Sequence, residues 1–301
     1  MIVAEKIAKS TQATASLLTL SSLSTKDTSE SKGDLRPSHL SLPIEFSNVS
    51  FSYPSRPTQP ILRNFNLRIQ PGELVALVGA SGCGKSTVVG LMQRLYEPTG
   101  GSVFIGEERL GMIDVGWLRK RLAVVSQAPV LFDTSVGENI RYGSSGISDV
   151  DIRTAAKWAN VHEVVMELAE GYDTVLGTSG AGGLSGGQAQ RVQIARALAR
   201  MVQEGGAGGA DLLLIDEGTS ALDGENEGVV LDAVRALVSS ERSRRRKRTV
   251  MMVTHKLEVM RLCDRVVVVG NGRVVEEGRF EELMERKGEF ARLAGGGVWE
   301  S

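Results

Sequence analysis

Residues Gly79-Ala80-Ser81-Gly82-Cys83-Gly84-Lys85-Ser86 match G-x-x-x-x-G-K-[ST] at every fixed position. The chemistry this spacing suits is the cradling of a polyphosphate. Gly79, Gly82 and Gly84 let the backbone wrap an anion without a Cβ in the way, and successive N–H groups then point at it, ending at the helix that opens near Thr87. Lys85 is placed to bridge β- and γ-phosphates, and the Ser86 hydroxyl to ligate Mg²⁺. Cys83 is a small filler inside the loop. Its closeness to Lys85 and a helix N-terminus also suits a reactive thiol, one that bound ATP would shield.

"LLLIDEGTSALD" (212–223) supplies the other half of such a site. Four apolar residues deliver Asp216 to the C-terminal end of a buried strand, where α/β proteins bind ligands. Asp216 is expected to hold Mg²⁺ through water. Neighbouring strand residues point to opposite faces, so Glu217 is free to polarise an attacking water. His255, in "VTHKL", ends another apolar run expected beside the Asp216 strand, which places it near the γ-phosphate. Gln127, in "VVSQAP", also follows such a run and has the length and polarity to reach Mg²⁺ or the lytic water. His39 and His162 have no comparable setting.

A second glycine turn lies far downstream, at "LSGGQ" (184–188). Ser185-Gly186-Gly187-Gln188 has the capping-box pattern S-x-x-Q. Val192, Ala195, Leu198 and Met201 then recur at helical spacing. This is another helix N-terminus with bare glycines and a hydroxyl, again suited to an anion. One nucleotide does not obviously need two such turns.

The elements that must position these groups are legible as short apolar runs. "ELVALVG" (73–79), "LAVVS" (122–126), "DLLLID" (211–216), "TVMMVT" (249–254) and "RVVVVG" (265–270) lack polar alternation, as in strands buried on both faces of a parallel sheet. Helical stretches separate them, "STVVGLMQRL" after the phosphate loop among them, so the class is α/β with a parallel core. "IEFSNVSFSY" (44–53) and "ILRNFNLRI" (61–69) read as further strands. Residues 1–24 show a loose helical pattern and 25–41 a polar linker. "EGGAGGA" (204–210) reads as a glycine loop. "ERSRRRKR" (241–248) reads as a solvated surface run, with an acidic partner or phosphoinositide as the other reading.

The 301 residues are 42% hydrophobic and carry a net charge of −1, which gives no pull toward nucleic acid. Two cysteines allow no disulfide framework and point to a reducing compartment. No apolar run approaches the length of a spanning helix, and no secretory signal is expected.

Tyr53, Gly79–Thr87, Gln127, Leu184–Gln188, Asp216–Glu217, "SALD" at 220–223 and His255 stand together in the order of the ATP-binding cassette (ABC) family, which residues 42–295 resemble. The resemblance implies a P-loop NTPase fold with a parallel-sheet core, a small antiparallel β subdomain and a helical subdomain carrying the signature motif. It implies ATP and Mg²⁺ as ligands, Glu217, His255 and Gln127 as catalytic residues, and Tyr53 stacked on adenine. It also accounts for the second turn. In this family Ser185, Gly186, Gly187 and Gln188 would close over the γ-phosphate held by a partner cassette, with Asp223 at the seam between the two.

"FSYPSRP", "SQAPVLFDTSVGENIRYG" and "EEGRFEELMERKGEFARL" resemble the multidrug and peptide exporter branch. That implies a transmembrane domain as partner and a peripheral position on the cytoplasmic side of a membrane. Residues 1–24 resemble the end of the last membrane helix, so the chain is expected to begin just after that domain. A separated cassette acting as a soluble ATPase, or an ATP-binding remnant, are the other readings. Residues 296–301 are expected to form a tail. Departures from the family pattern are Thr178-Ser179 where an acid–base pair is usual, an additional glycine at 182–183, Gly218 for Ala or Pro, Phe280 for His, and the two long inserts.

Overall fold

Strands apolar on both sides are stable only between two covering layers, and the chain builds those layers. The computed structural model describes residues 33–144, 146–177, 183–202, 209–219, 222, 224–239 and 247–295. Among them are ten strands: β1 (Ile44–Ser52), β2 (Pro60–Ile69), β3 (Leu74–Val78), β4 (Gly100–Ile105), β5 (Glu108–Arg109), β6 (Leu122–Val125), β7 (Leu212–Asp216), β8 (Thr249–Val253), β9 (Arg265–Gly270) and β10 (Arg273–Gly278). They form two sheets, ordered β2-β1-β4-β5 and β10-β9-β3-β8-β7-β6. The first is antiparallel. In the second, β9, β3, β8, β7 and β6 run parallel and β10 adds an antiparallel edge.

Alternate side chains of the parallel strands feed different cores. Ala76, Val78, Leu213, Ile215, Val250 and Met252 pack with Val192, Ala195 and Leu198 of the helix Gly186–Val202. Val75, Leu77, Leu212, Leu214, Met251 and Val253 pack with Val88, Leu91 and Met92 of the helix Lys85–Met92 and with Phe46, Phe51 and Phe65 of the antiparallel sheet. Each such Val, Leu or Phe contributes about 1.5–3 kcal/mol when fully buried. Helices Val136–Arg141 and Asp149–Trp158 pack on Gly186–Val202, with His162–Met166 against the second of them. The expected architecture is therefore present: parallel core, small antiparallel sheet, and a helical unit carrying the signature turn.

Parallel strands send all their C-terminal ends to one edge. Val78, Val253, Asp216 and Val125 end β3, β8, β7 and β6, in that spatial order. The segments after them carry Gly79, His255, Glu217 and Gln127, so strand order alone lines up four motifs.

Part of the linker stretch lies on this framework. The Leu35 N–H donates to Met112 O at 3.1 Å and the Asp114 N–H to Leu35 O at 2.8 Å. Leu40 is buried, and its N–H donates to Asp211 Oδ2 at 3.1 Å. Composition reads Asp, Arg, Pro and Ser there as linker; Leu35 and Leu40, five residues apart, match neither strand nor helix period, and contacts with distant partners leave no local signal.

Two departures have a physical explanation. Phe280 is buried and meets Phe290 edge-on at 5.4 Å, with the Arg261 guanidinium 4.9 Å from its ring. Gly218 abuts Val125: a Cβ there would lie 2.4 Å from Val125 Cγ1. Thr178, Ser179, Gly182, Asp223 with Ser220 and Ala221, residues 204–208 of the glycine insert, residues 241–246 of the basic one, and both chain ends lie outside the described residues. Among the described residues no helix is long and apolar enough to cross a membrane.

Candidate nucleotide site

The loop after β3 has the backbone its sequence requires. Gly79 takes φ 149°, and a Cβ there would meet Val269 O at 2.2 Å, so only glycine lets the loop leave the sheet beside β9. Gly82 and Gly84 also have positive φ. Ser81, Gly82 and Ser86 are exposed, while Cys83, Lys85 and Thr87 are buried. Lys85 Nζ donates to Gly79 O and Ala80 O, both at 2.8 Å, and lies 3.6 Å from Cys83 Sγ. Its charge is therefore delivered inside the ring of the loop, where a phosphate oxygen would form a stronger, charge-assisted bond than these neutral carbonyls.

Ser86 Oγ donates to Asp216 Oδ1 at 3.1 Å, joining residues 130 positions apart. Burial raises the Asp216 carboxyl pKa, an effect the Ser86 hydrogen bond opposes and the nearby Glu217 charge reinforces. A hydroxyl and a carboxylate oxygen side by side suit a hard cation that takes few protein ligands and completes its shell from phosphates and water, as Mg²⁺ does. Among the described residues no three His, Cys, Asp or Glu side chains gather as a metal cluster.

Glu217 lies one residue past β7 with φ 50°. Its direction comes from this left-handed backbone rather than from strand alternation, the mechanism its sequence position suggests. The Glu217 N–H donates to Val253 O at 3.1 Å. Gln127 Nε2 donates to Glu217 Oε2 at 2.9 Å, so the loops after β6 and β7 meet through these two side chains. His255 follows β8, between the phosphate-loop strand and the Asp216 strand, and is exposed.

Tyr53 lies just beyond β1, half-buried. Its hydroxyl is 3.0 Å from Thr87 Oγ1, and its ring meets Phe51 and Tyr96 edge-on at 5.0 and 5.2 Å. An aromatic shelf thus adjoins the phosphate-loop helix. A cavity of about 490 Å³ runs along the outer side of that loop, lined by Ile61, Ser81, Gly82, Cys83, Asn271 and Leu293 among others.

The second turn folds as its pattern predicts. The Gln188 N–H donates to Ser185 Oγ at 3.2 Å and the Ser185 N–H to Gln188 Oε1 at 2.8 Å. Ser185 and Gly186 are exposed, Gly187 and Gln188 half-buried. Accepting that bond leaves the Ser185 hydroxyl hydrogen available to an anion.

Two residues the motifs do not mark also enter the site. Gln190 and Gln193, on the signature helix, hydrogen-bond to the segments flanking Gln127 and Glu217. Their only sequence signal is polarity inside a helix buried nearly all round.

The chain is similar to known proteins over most of its length. The chain is 43% identical over 251 residues to a rat (Rattus norvegicus) mitochondrial potassium channel ATP-binding subunit, covering 83% of this chain and 33% of that protein. It is 42% identical over 278 residues to Arabidopsis thaliana ABC transporter B family member 13, covering 92% of this chain and 21% of the relative. The chain thus spans a third or less of these curated relatives. A solved bacterial Atm1-family ABC exporter with ATP bound superposes with a TM-score of 0.77 at 33% identity, covering 88% of this chain and 42% of that one. The family model described as ABC transporter matches residues 62–220, from β2 through both glycine turns to the residues after Glu217, and the chain belongs to that family.

Proposed function

We propose that this chain is the ATP-hydrolysing cassette of an exporter, working as one of a pair. The observation that carries the reading is the meeting of Ser86 with Asp216 at 3.1 Å and of Gln127 with Glu217 at 2.9 Å, on neighbouring ends of one sheet. The first pair is a metal seat and the second a water seat, and the phosphate loop lies beside them.

Each residue has a task set by its chemistry. The loop amides from Gly79 to Thr87 hold the phosphates, and Lys85 neutralises the β- and γ-oxygens. Ser86 and Asp216 hold Mg²⁺, with Gln127 Oε1 a further oxygen donor; the ion supplies charge neutralisation on the phosphates when bound. Glu217 accepts a proton from the attacking water, which Gln127 helps to orient, and ATP leaves as ADP and phosphate. His255 contacts the γ-phosphate from the strand between. Tyr53 presents its ring to adenine.

The exposed Ser185–Gln188 turn closes over the triphosphate held by a partner cassette, with Asp223 at the seam. ATP then binds two cassettes together, and hydrolysis lets them part. A transmembrane domain couples that cycle to export, with the cassette on the cytoplasmic face. ATPase rate against protein concentration tests the pairing. A rate rising faster than linearly is expected; strict proportionality at all concentrations would overturn it.

A further inference from the structure

Gln190 and Gln193 are 0% and 5% exposed, and neither is among the groups assigned to phosphate, metal or water. Gln190 Nε2 donates to Ser126 O at 3.2 Å and to Gly218 O at 2.5 Å. Ser126 immediately precedes Gln127, and Gly218 immediately follows Glu217. The two loops are therefore joined twice: through Gln127 and Glu217 at their tips, and through Gln190 at their backbones.

The amide cannot serve equally well when flipped, because its oxygen would then face two carbonyls. In the observed pose Gln190 Oε1 is buried and has no partner among the described residues. Gln193 Nε2 adds a bond to Ser126 Oγ at 2.7 Å, and Ser126 Oγ donates to Ala128 O at 2.9 Å. Further along the helix, Arg196 donates to Val130 O at 2.8 Å and lies over the Phe132 ring at 5.0 Å. The loop after β6 is thus latched to the signature helix at successive turns, and among the described residues of that helix Gln190 is the one with hydrogen bonds to the loops after both β6 and β7.

We propose that Gln190 is a positioning residue that ties the Gln127–Glu217 pair to the signature helix. The inference rests on the roles given above to Glu217 and to the Ser185–Gln188 turn. A shift of that helix, when its N-terminus engages the partner's nucleotide, is passed through Gln190 to both loops of the chain's own hydrolytic site. Gripping ATP in one site thereby sets the water-polarising geometry in the other. The sensitivity is large, since a misplacement of about 1 Å in a reacting group costs about 10²-fold in rate.

The test uses the full chain with two substitutions. Gln190→Met keeps length and volume but removes both donors; Gln190→Glu keeps shape and sets a carboxylate oxygen against the two carbonyls. In both, kcat for ATP is expected to fall at least about tenfold. KM for ATP stays within about threefold because no residue touching nucleotide has changed. ATP-driven dimers still form in a Glu217→Gln background. Unchanged kcat in both variants overturns the proposal. So does a fall in kcat accompanied by loss of dimers and a large drop in Tm, which is ordinary core damage. An inactive wild type, or a Glu217→Gln variant with normal turnover, sinks the underlying reading instead. Normal turnover in Gln190→Met beside an inactive Glu217→Gln sinks this inference alone.

Discussion

Gln127 Nε2 lies 2.9 Å from Glu217 Oε2, and the bond joins the loops that leave two adjacent strands. It holds one carboxylate oxygen and leaves the other for water. Glu217 also sits in left-handed backbone, φ 50°, at a cost on the order of 1–3 kcal/mol for a residue with a side chain. Two contacts maintain it: its N–H on Val253 O, and the Gln127 amide on its carboxylate. The strain and the hydrogen bond fall on the same residue, the one proposed as base, a role for which a single held pose would matter.

Glu217→Gln preserves that pose, because a side-chain amide oxygen still accepts from Gln127. It removes the proposed base. Turnover should fall about 10²–10⁴-fold, while ATP affinity is retained and dimers accumulate. Steady-state turnover and size-exclusion chromatography with Mg²⁺ and ATP measure the two effects. A variant that hydrolyses ATP at the wild-type rate removes Glu217 from the role of base.

Much of the candidate site was legible because phosphate and metal chemistry demands residue types at fixed spacing. Gly79 to Thr87 and Asp216–Glu217 carry their meaning within a few positions, and buried parallel strands announce themselves by unbroken apolar runs. The rest depends on contacts between distant segments. The left-handed turn at Glu217 follows an ordinary-looking aspartate in the sequence, and Gln190 is one glutamine among three closely spaced ones in "GGQAQRVQ". Leu40 reads as linker until it is seen against Asp211, which also pairs with Arg121 at 3.2 Å, both buried. Phe280 and Gly218 look like departures from a pattern, yet each fits its neighbours.

Gly218→Ala, a return toward the family's usual residue, should destabilise this chain. The new Cβ falls 2.4 Å from Val125 Cγ1 and 3.1 Å from Ile215 Cγ2. Val125 is β-branched, buried in β6 and has little freedom to yield. Overpacking of this kind costs about 1–3 kcal/mol. Adding Val125→Ala removes the obstructing methyl, so the double variant should be more stable than the sum of the two single losses. A double-mutant cycle by urea denaturation measures the coupling. Simple additivity would mean the strand shifts to admit the methyl without cost.

The two thiols should behave differently despite equal burial. Cys83 lines the cavity along the phosphate loop, so a small alkylating reagent can reach it, and Mg²⁺ with ATP should slow its labelling. Equal labelling with and without nucleotide would remove Cys83 from the bound surface. Cys263 is enclosed, its Sγ 3.3 Å from Val259 O, and burial, with Asp264 adding, pushes its thiol up to about 12 from an ordinary 9.0. Between those values the folded state keeps a proton the unfolded chain has lost, so more protons are bound folded than unfolded. Stability therefore falls as pH rises through this window, by at most about 1.4 kcal/mol per pH unit for one group. Lysines and tyrosines titrate there too, so the informative quantity is the difference between wild type and Cys263→Ala. The variant should lose stability less steeply above about pH 9, since it has no thiol to ionise in the unfolded chain. Parallel urea-midpoint curves for the two proteins across that range would show that Cys263 ionises as readily folded as unfolded, and that its burial exerts no such hold.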